Sequence, residues 1–493
     1  MNAPTSSRSW TPSPDFVRAV LKGHSGLGLA FAAAIYLVCL TGTLAVFANE
    51  FHRWENPGAP RMASVSDAAV QTAYQAAMRQ AGDGVEHVYI TIPSPQLPWL
   101  MVTADKGGEL SAFLATENGE LAGPAADSWT EFLTRLHVNL HLPRTIGLFI
   151  VGLTGVALLS SLISGILAHP RIFRDAFHLR LGGSRRLQEA DLHNRIGVWA
   201  LPFHVIVSLT GALLGLQLLI VGVLGLALFK GDTDKVYDLF LPPHPVDDAR
   251  PAPALDLGPM FAQIRSKVPD GRVSYVFIEH PTEMGGAALF NVDARPDRLS
   301  AVDAYTFDRT GKLYYAKTVD DTNLGERILG ALGPLHFGTF GGGLLKIVYG
   351  ILGLGLSYLA VGGVLIWLAR RRDKGRPAPG WEKVWTAVTW GQPLVLAAAA
   401  LAAVVAPAVT VSVLIGIWGG LTIATVAGAR AFDRLTLSRL GRGLTGGLLV
   451  LTAILHIALH GSGDPMALVV NAVLLATGLG LVAPVWKGMR QPA

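Results

Sequence analysis

The chain has 493 residues, of which 51% are hydrophobic and only 15% charged, with a mean hydropathy of +0.42. That balance excludes an ordinary soluble globular protein. The net charge of +5 sorts into short loops between apolar runs and implies no nucleic-acid partner. A lone cysteine, Cys39, excludes an internal disulfide, a CxxCH attachment site and any cysteine-built metal cluster.

Nearly charge-free runs recur at 27–48, 145–168, 196–229, 343–369, 383–406, 409–428, 443–460 and 466–486. Each approaches the roughly 20 residues a helix needs to cross hydrocarbon. The fold class is therefore an α-helical membrane protein of about eight transmembrane helices, with 383–428 divided in two at Pro407. The first run exceeds the roughly 7–15 residues of a signal-peptide core and reads as a retained anchor.

Lys and Arg collect in alternate connections: Arg18 and Lys22 before the first span, Arg171, Arg174, Arg180, Arg185, Arg186 and Arg195 after the second. Arg370, Arg371, Arg372, Lys374 and Arg376 follow the fourth, and Arg430, Arg434, Arg439 and Arg442 lie between the sixth and seventh. All fall on one side, which the positive-inside rule makes cytoplasmic. Both termini are then cytoplasmic, and two long segments lie outside.

The resulting plan is a membrane helix at 15–48, an outside domain at 49–144 and a second membrane helix at 145–168. A basic loop at 169–195 leads to a third helix at 196–229, an outside domain at 230–342 and a fourth helix at 343–369. A basic loop at 370–382 precedes four further helices in 383–493. In the first outside segment SVSDAAVQTAYQAAMRQ reads as a helix, and VEHVYITI, PWLMVTA and LSAFLAT as strands. In the second, ALDLGPMFAQIRSK precedes the strand-like VSYVFIEH, AALFNVD, LSAVDAYTFD and KLYYAK. Each segment thus reads as a helix on a small antiparallel sheet.

The two halves of residues 15–376 repeat. His24, Gly28 and Leu40-Thr41-Gly42 share the register of His193, Gly197 and Leu209-Thr210-Gly211. Leu136-His137 precedes the second span as Leu335-His336 precedes the fourth, and Gly152, Gly155 and Gly165 have the spacing of Gly350, Gly353 and Gly363. Both copies enter the membrane from the same side, so their pseudo-two-fold axis runs along the membrane normal.

The motifs HSGLG with LTG, LHVNLH, SGILAHPRIFRDAFHLR, DLHNRIGVWALPFH with LTG, and LHFGTFGG make residues 15 to 376 resemble the PepSY-associated transmembrane family. Those are iron-regulated inner-membrane proteins that include siderophore reductases. The resemblance implies PepSY-like periplasmic domains, a bacterial inner-membrane location and a ferric siderophore or chelate as substrate. Residues 381–493 carry none of these motifs.

Charge in the bilayer centre costs about 2.5–3.5 kcal/mol, so histidines there are expected to be neutral and partnered. Neutral imidazole offers one lone pair to a metal such as haem iron. Repeat-related residues share a depth, so His24 with His193 are expected to hold one haem b on the cytoplasmic side. His137 with His336 would hold a second on the outer side. His141, His169 and His204 are either alternative ligands or anchors for haem propionates, assisted by Arg195. His193 and His204 are eleven residues apart, which on one continuous helix gives about 16 Å of rise and about 20° of rotation, a shared face. His456 and His460, spaced i, i+4 on one helix face, are a further candidate metal site. The remaining His52, His87, His178, His244 and His280 read as surface residues.

Neither GxGxxG after a strand nor GxxxxGK[ST] occurs in the cytoplasmic loops, so electrons are expected from a separate reductase or from quinol. GxSxG and HExxH are absent too, which disfavours hydrolysis. The expected activity is transmembrane ferric reduction in iron acquisition. A non-enzymatic PepSY-type membrane sensor or peptidase regulator is the alternative.

Overall fold

Helices dominate the computed structural model, which describes residues 13–169, 184–243, 245, 247–294, 298–299, 302–406 and 408–489. Arg171, Arg174, Arg180, His178, His244 and Pro407 lie outside the described residues. The first copy opens with α1 (Pro14–Ala45), started by the Ser13 hydroxyl accepting from Phe16 N and by Pro14 in its first turn. A short α2 (Ala48–Glu55) and α3 (Asp67–Ala81) follow, then β1 (His87–Thr91), β2 (Leu100–Lys106), β3 (Glu109–Ala115) and β4 (Leu121–Pro124). The copy closes with α4 (Ser128–Asn139) and α5 (Arg144–Leu167).

The second copy has the same order. It runs through α6 (Arg185–Trp199), α7 (Leu201–Gly215), α8 (Gln217–Phe229), α9 (Asp234–Tyr237) and α10 (Gly258–Lys267). Strands β5 (Arg272–Glu279), β6 (Ala287–Asp293), β7 (Val302–Asp308) and β8 (Leu313–Lys317) precede α11 (Leu324–Phe337) and α12 (Gly342–Asp373). The remainder is α13 (Pro379–Val405), α14 (Val411–Gly428), α15 (Arg434–His460) and α16 (Pro465–Met489).

Seven described helices, α1, α5, α12, α13, α14, α15 and α16, are long and apolar enough to cross a membrane, and the α6–α7 pair makes an eighth if counted as one span. The third span is not the continuous helix expected over 196–229. The chain breaks at Ala200 and Leu216, and α6 meets α7 at 73°. Pro202, in the first turn of α7, lacks the N–H that a continuous helix would use and its ring crowds the preceding turn. His193 and His204 therefore sit on different helices, and the shared face argued from eleven residues of rotation is corrected.

The two expected sheets are one. Their strands form a single antiparallel sheet in the order β4-β3-β2-β1-β5-β6-β7-β8, joined where β1 pairs with β5 from His87↔Glu279 to Thr91↔Tyr275. The seam relates each copy to the other, and pairing removes two edges that would otherwise stand open. On one face α3 and α10 lay Tyr74, Met260, Phe261 and Ile264 over Val88, Ile90, Val276 and Ile278. Full burial of such side chains contributes about 1.5–3 kcal/mol each, so the core holds the seam shut.

Below the sheet the copies interlock. The first helix of each packs along the last helix of the other, α1 on α12 and α7 on α5. Within each copy, α1 also packs on α5 and α6 on α12. This four-sided arrangement brings the repeat-related histidines together.

Candidate functional site

His24 on α1 and His193 on α6 meet with ring centroids 6.5 Å apart and planes at 79°. His137 on α4 and His336 on α11 meet at 6.1 Å with planes at 18°. Each pair takes one ring from each copy. On α1, His24 lies fourteen residues before Val38, whose carbonyl holds His137. At 1.5 Å per residue that is about 21 Å, so the pairs lie at well-separated depths, one at the sheet end of the helices and one at the opposite end.

The hydrogen bonds fix the tautomers. His24 Nδ1 donates to the Ser161 carbonyl at 3.0 Å, and His137 Nδ1 donates to the Val38 carbonyl at 3.0 Å. His336 Nδ1 donates to Thr210 Oγ1 at 3.0 Å, a hydroxyl whose own proton goes to the Ile206 carbonyl. A proton on Nδ1 leaves the lone pair on Nε2. His193 Nδ1 is buried and makes no hydrogen bond.

Each ring lies against a glycine, and the glycines repeat as the histidines do. A β-carbon on Gly42 would stand 2.6 Å from His137 Cε1, and one on Gly211 would stand 2.9 Å from His336 Cε1. At the other pair, a β-carbon on Gly165 would stand 3.4 Å from His24 Cε1 and one on Gly363 3.6 Å from His193 Cε1. The Gly of each LTG motif is thus the floor under the other helix's histidine. A small residue there lets the imidazole approach the helix backbone.

Among the described residues, none of the other expected histidines makes a ring contact with either pair. His141 follows α4, where Leu140 and His141 both have positive φ, 56° and 55°. This turn stacks His141 on Phe132, centroids 5.0 Å apart, with its Nε2 buried and unpartnered. Held conformations of this kind cost about 1–3 kcal/mol each. His204 is fully buried on α7 beside Phe203, and neither ring nitrogen makes a hydrogen bond. His169 stands just past α5, its backbone N–H donating to the Ile166 carbonyl at 3.1 Å. Arg195 is buried on α6.

His456 and His460 are both engaged with backbone carbonyls, their Nε2 atoms on those of Trp54 and Val404 at 2.7 and 2.9 Å. Among the described residues no group of three or more potential ligands forms a metal site.

Two functional elements escaped the sequence reading, the helices α4 and α11 that carry His137 and His336. Trp129, Phe132, Leu133 and Leu136 recur at helical spacing and are all buried, which was the available signal for α4. For α11 the signal was Asn323 with Glu326, which form a capping box.

Fold and site together define a helical membrane protein of two tandem helix–sheet–helix units, with histidines paired across the units at two depths. The family described as the PepSY-associated TM region matches residues 21–370, and the chain belongs to it. An uncharacterized protein of Pseudomonas aeruginosa is 30% identical over 257 residues, 48% of this chain. The chain spans 63% of the length of that relative.

Proposed function

We propose that this protein is a haem b-containing reductase of the bacterial inner membrane, with its termini in the cytoplasm and its sheet in the periplasm. It passes electrons outward to ferric iron held in a siderophore or chelate on the sheet side. The observation that supports this reading is the distance between rings in both pairs. A metal about 2 Å from each of two imidazole nitrogens places the ring centroids about 6 Å apart, against 6.5 and 6.1 Å in this chain.

His24 and His193 would hold one haem and His137 and His336 the other. A haem held by these imidazoles would supply one-electron transfer, and the reducible iron of the substrate would be bound elsewhere. The chain's own groups do the rest. Carbonyls of Ser161 and Val38 and the Thr210 hydroxyl hold the Nδ1 protons, which fixes ring orientation and raises the basicity of Nε2. The donor, a separate cytoplasmic reductase or quinol, delivers electrons at the His24–His193 end. Iron(II) binds hard oxygen chelators less tightly than iron(III), so one electron loosens the metal.

The test is reconstitution of the full chain into vesicles loaded with a membrane-impermeant reductant, with a ferric chelate and a ferrous-iron indicator outside. Vesicles holding the protein should show a reducible Soret and α-band and should generate external iron(II) well above empty vesicles. A protein without these bands, or vesicles no faster than empty ones, would overturn the proposal.

A further inference from the structure

The repeat is symmetric at the histidines but not around them. α4 is covered: Trp129, Phe132, Leu133 and Leu136 are at most 4% exposed and share a cluster with Leu396, Ala399, Ala400, Val404 and Leu414 of α13 and α14. α11 has no fully buried residue and packs on α7 alone among the membrane-spanning helices. Ile328, at the repeat position of Trp129, is 55% exposed.

A second set of contacts reaches α4 through α2. Arg53 forms a two-pronged ion pair with Asp464, Nε to Oδ2 at 3.1 Å and a terminal nitrogen to Oδ1 at 2.8 Å, and Asp464 is 1% exposed. The same Asp464 Oδ1 accepts from Met466 N and Ala467 N at the start of α16. Trp54, also 1% exposed, stacks on His456 with centroids 4.8 Å apart and planes at 12°. Its Nε1 donates to Asn471 Oδ1 at 2.9 Å, and Asn471 Nδ2 donates to His456 Nδ1 at 3.0 Å. Next in sequence, Glu55 accepts from Trp129 N at 2.7 Å, Thr130 N at 3.0 Å and the Thr130 hydroxyl at 2.5 Å. Glu55 thereby fills the N-terminal donors of α4, which its own first residue Ser128 and preceding Asp127 leave without a side-chain cap.

We infer that the four C-terminal helices are a clamp that positions His137: α15 and α16 grip α2, α2 caps α4, and α13 and α14 back α4 along its length. Among the described residues no packing contact joins the C-terminal helices to α11, which is held instead within its own copy by α7, by its capping box and by the Tyr349 hydroxyl on the Leu335 carbonyl. Arg53, Trp54, Glu55, His456, Asp464 and Asn471 are positioning residues for that pair. The consequence for haem geometry rests on the proposed function; the clamp itself does not.

The test compares the full chain with Asp464→Ala, Asp464→Glu and Trp54→Leu, reading amide hydrogen exchange over 128–139 and 324–337 together with low-temperature electron paramagnetic resonance. Breaking a buried ion pair should speed exchange across 128–139 by about tenfold or more while 324–337 is unchanged. Asp464→Glu should restore much of the protection. The low-spin ferric signal of the His137–His336 centre should shift in the alanine and leucine variants, and that of the His24–His193 centre should not. Unchanged exchange over 128–139, or equal acceleration in both helices, would overturn the clamp. Absence of any haem signal in the unaltered protein would defeat the reductase reading and leave the exchange result to judge the clamp.

Discussion

Alanine at His137 or His336 halves the haem content of the purified protein and abolishes outward iron reduction, and alanine at His24 or His193 does the same through the other centre. The expectation follows from pairing across the copies: each ring stands about 6 Å from a partner, 6.1 Å for His137 and His336 and 6.5 Å for His24 and His193. A haem held by one remaining imidazole loses half its axial ligation, so either single substitution removes the whole centre. Substitutions within a pair are therefore non-additive, while substitutions in different pairs add. The measurement is haem quantification against protein with a reduced-minus-oxidised spectrum for each variant. Loss of a spectral component in His204→Ala or His169→Ala, with a paired variant intact, would contradict the pairing.

Gly42→Ala and Gly211→Ala each remove the sheet-end centre, although neither touches a ligand. The new methyl of Gly42→Ala would sit 2.6 Å from His137 Cε1, and that of Gly211→Ala 2.9 Å from His336 Cε1, closer than carbon atoms approach. The rings cannot retreat and keep their bonds to Val38 O and Thr210 Oγ1. Alanine in place of a mid-helix glycine favours the helix itself by about 0.5–1 kcal/mol, so lost haem in these variants cannot be ascribed to a weakened helix. Gly363→Ala is the control, since its methyl would meet His193 Cε1 at an ordinary 3.6 Å. Spectra of the three variants decide it, with full haem in Gly42→Ala as the contrary result.

Much of this architecture is written in residue types at fixed spacing. The membrane spans follow from apolar length, and both pairs follow from register: His24 with His193 and His137 with His336 are the positions the repeat equates. The features that sequence missed depend on partners far along the chain. The β1–β5 seam joins strands more than 180 residues apart, and alternation along a strand fixes which face is buried without naming its neighbour. His456 resembles half of a metal site until Trp54, 402 residues away, is found to occupy its Nε2. The bend between α6 and α7 was locally encoded at Pro202, but the unbroken apolar run around it argued for continuity. α4 carried an amphipathic signal in Trp129, Phe132, Leu133 and Leu136 that the reading of one helix per outside segment passed over. Its cover gave no such signal, because the residues that bury it lie in α13 and α14.

The ring planes give the most direct test of the central claim, that two bis-histidine haems span the chain. The His137–His336 planes are 18° apart and the His24–His193 planes 79° apart. Near-parallel axial imidazoles give ferric haem a rhombic low-spin resonance, and near-perpendicular ones a strongly anisotropic low-spin resonance at lower field. Low-temperature electron paramagnetic resonance of the oxidised, purified full chain should show both signals in equal amounts, the first lost in His137→Ala and the second in His24→Ala. A spectrum with no low-spin ferric haem would contradict the account.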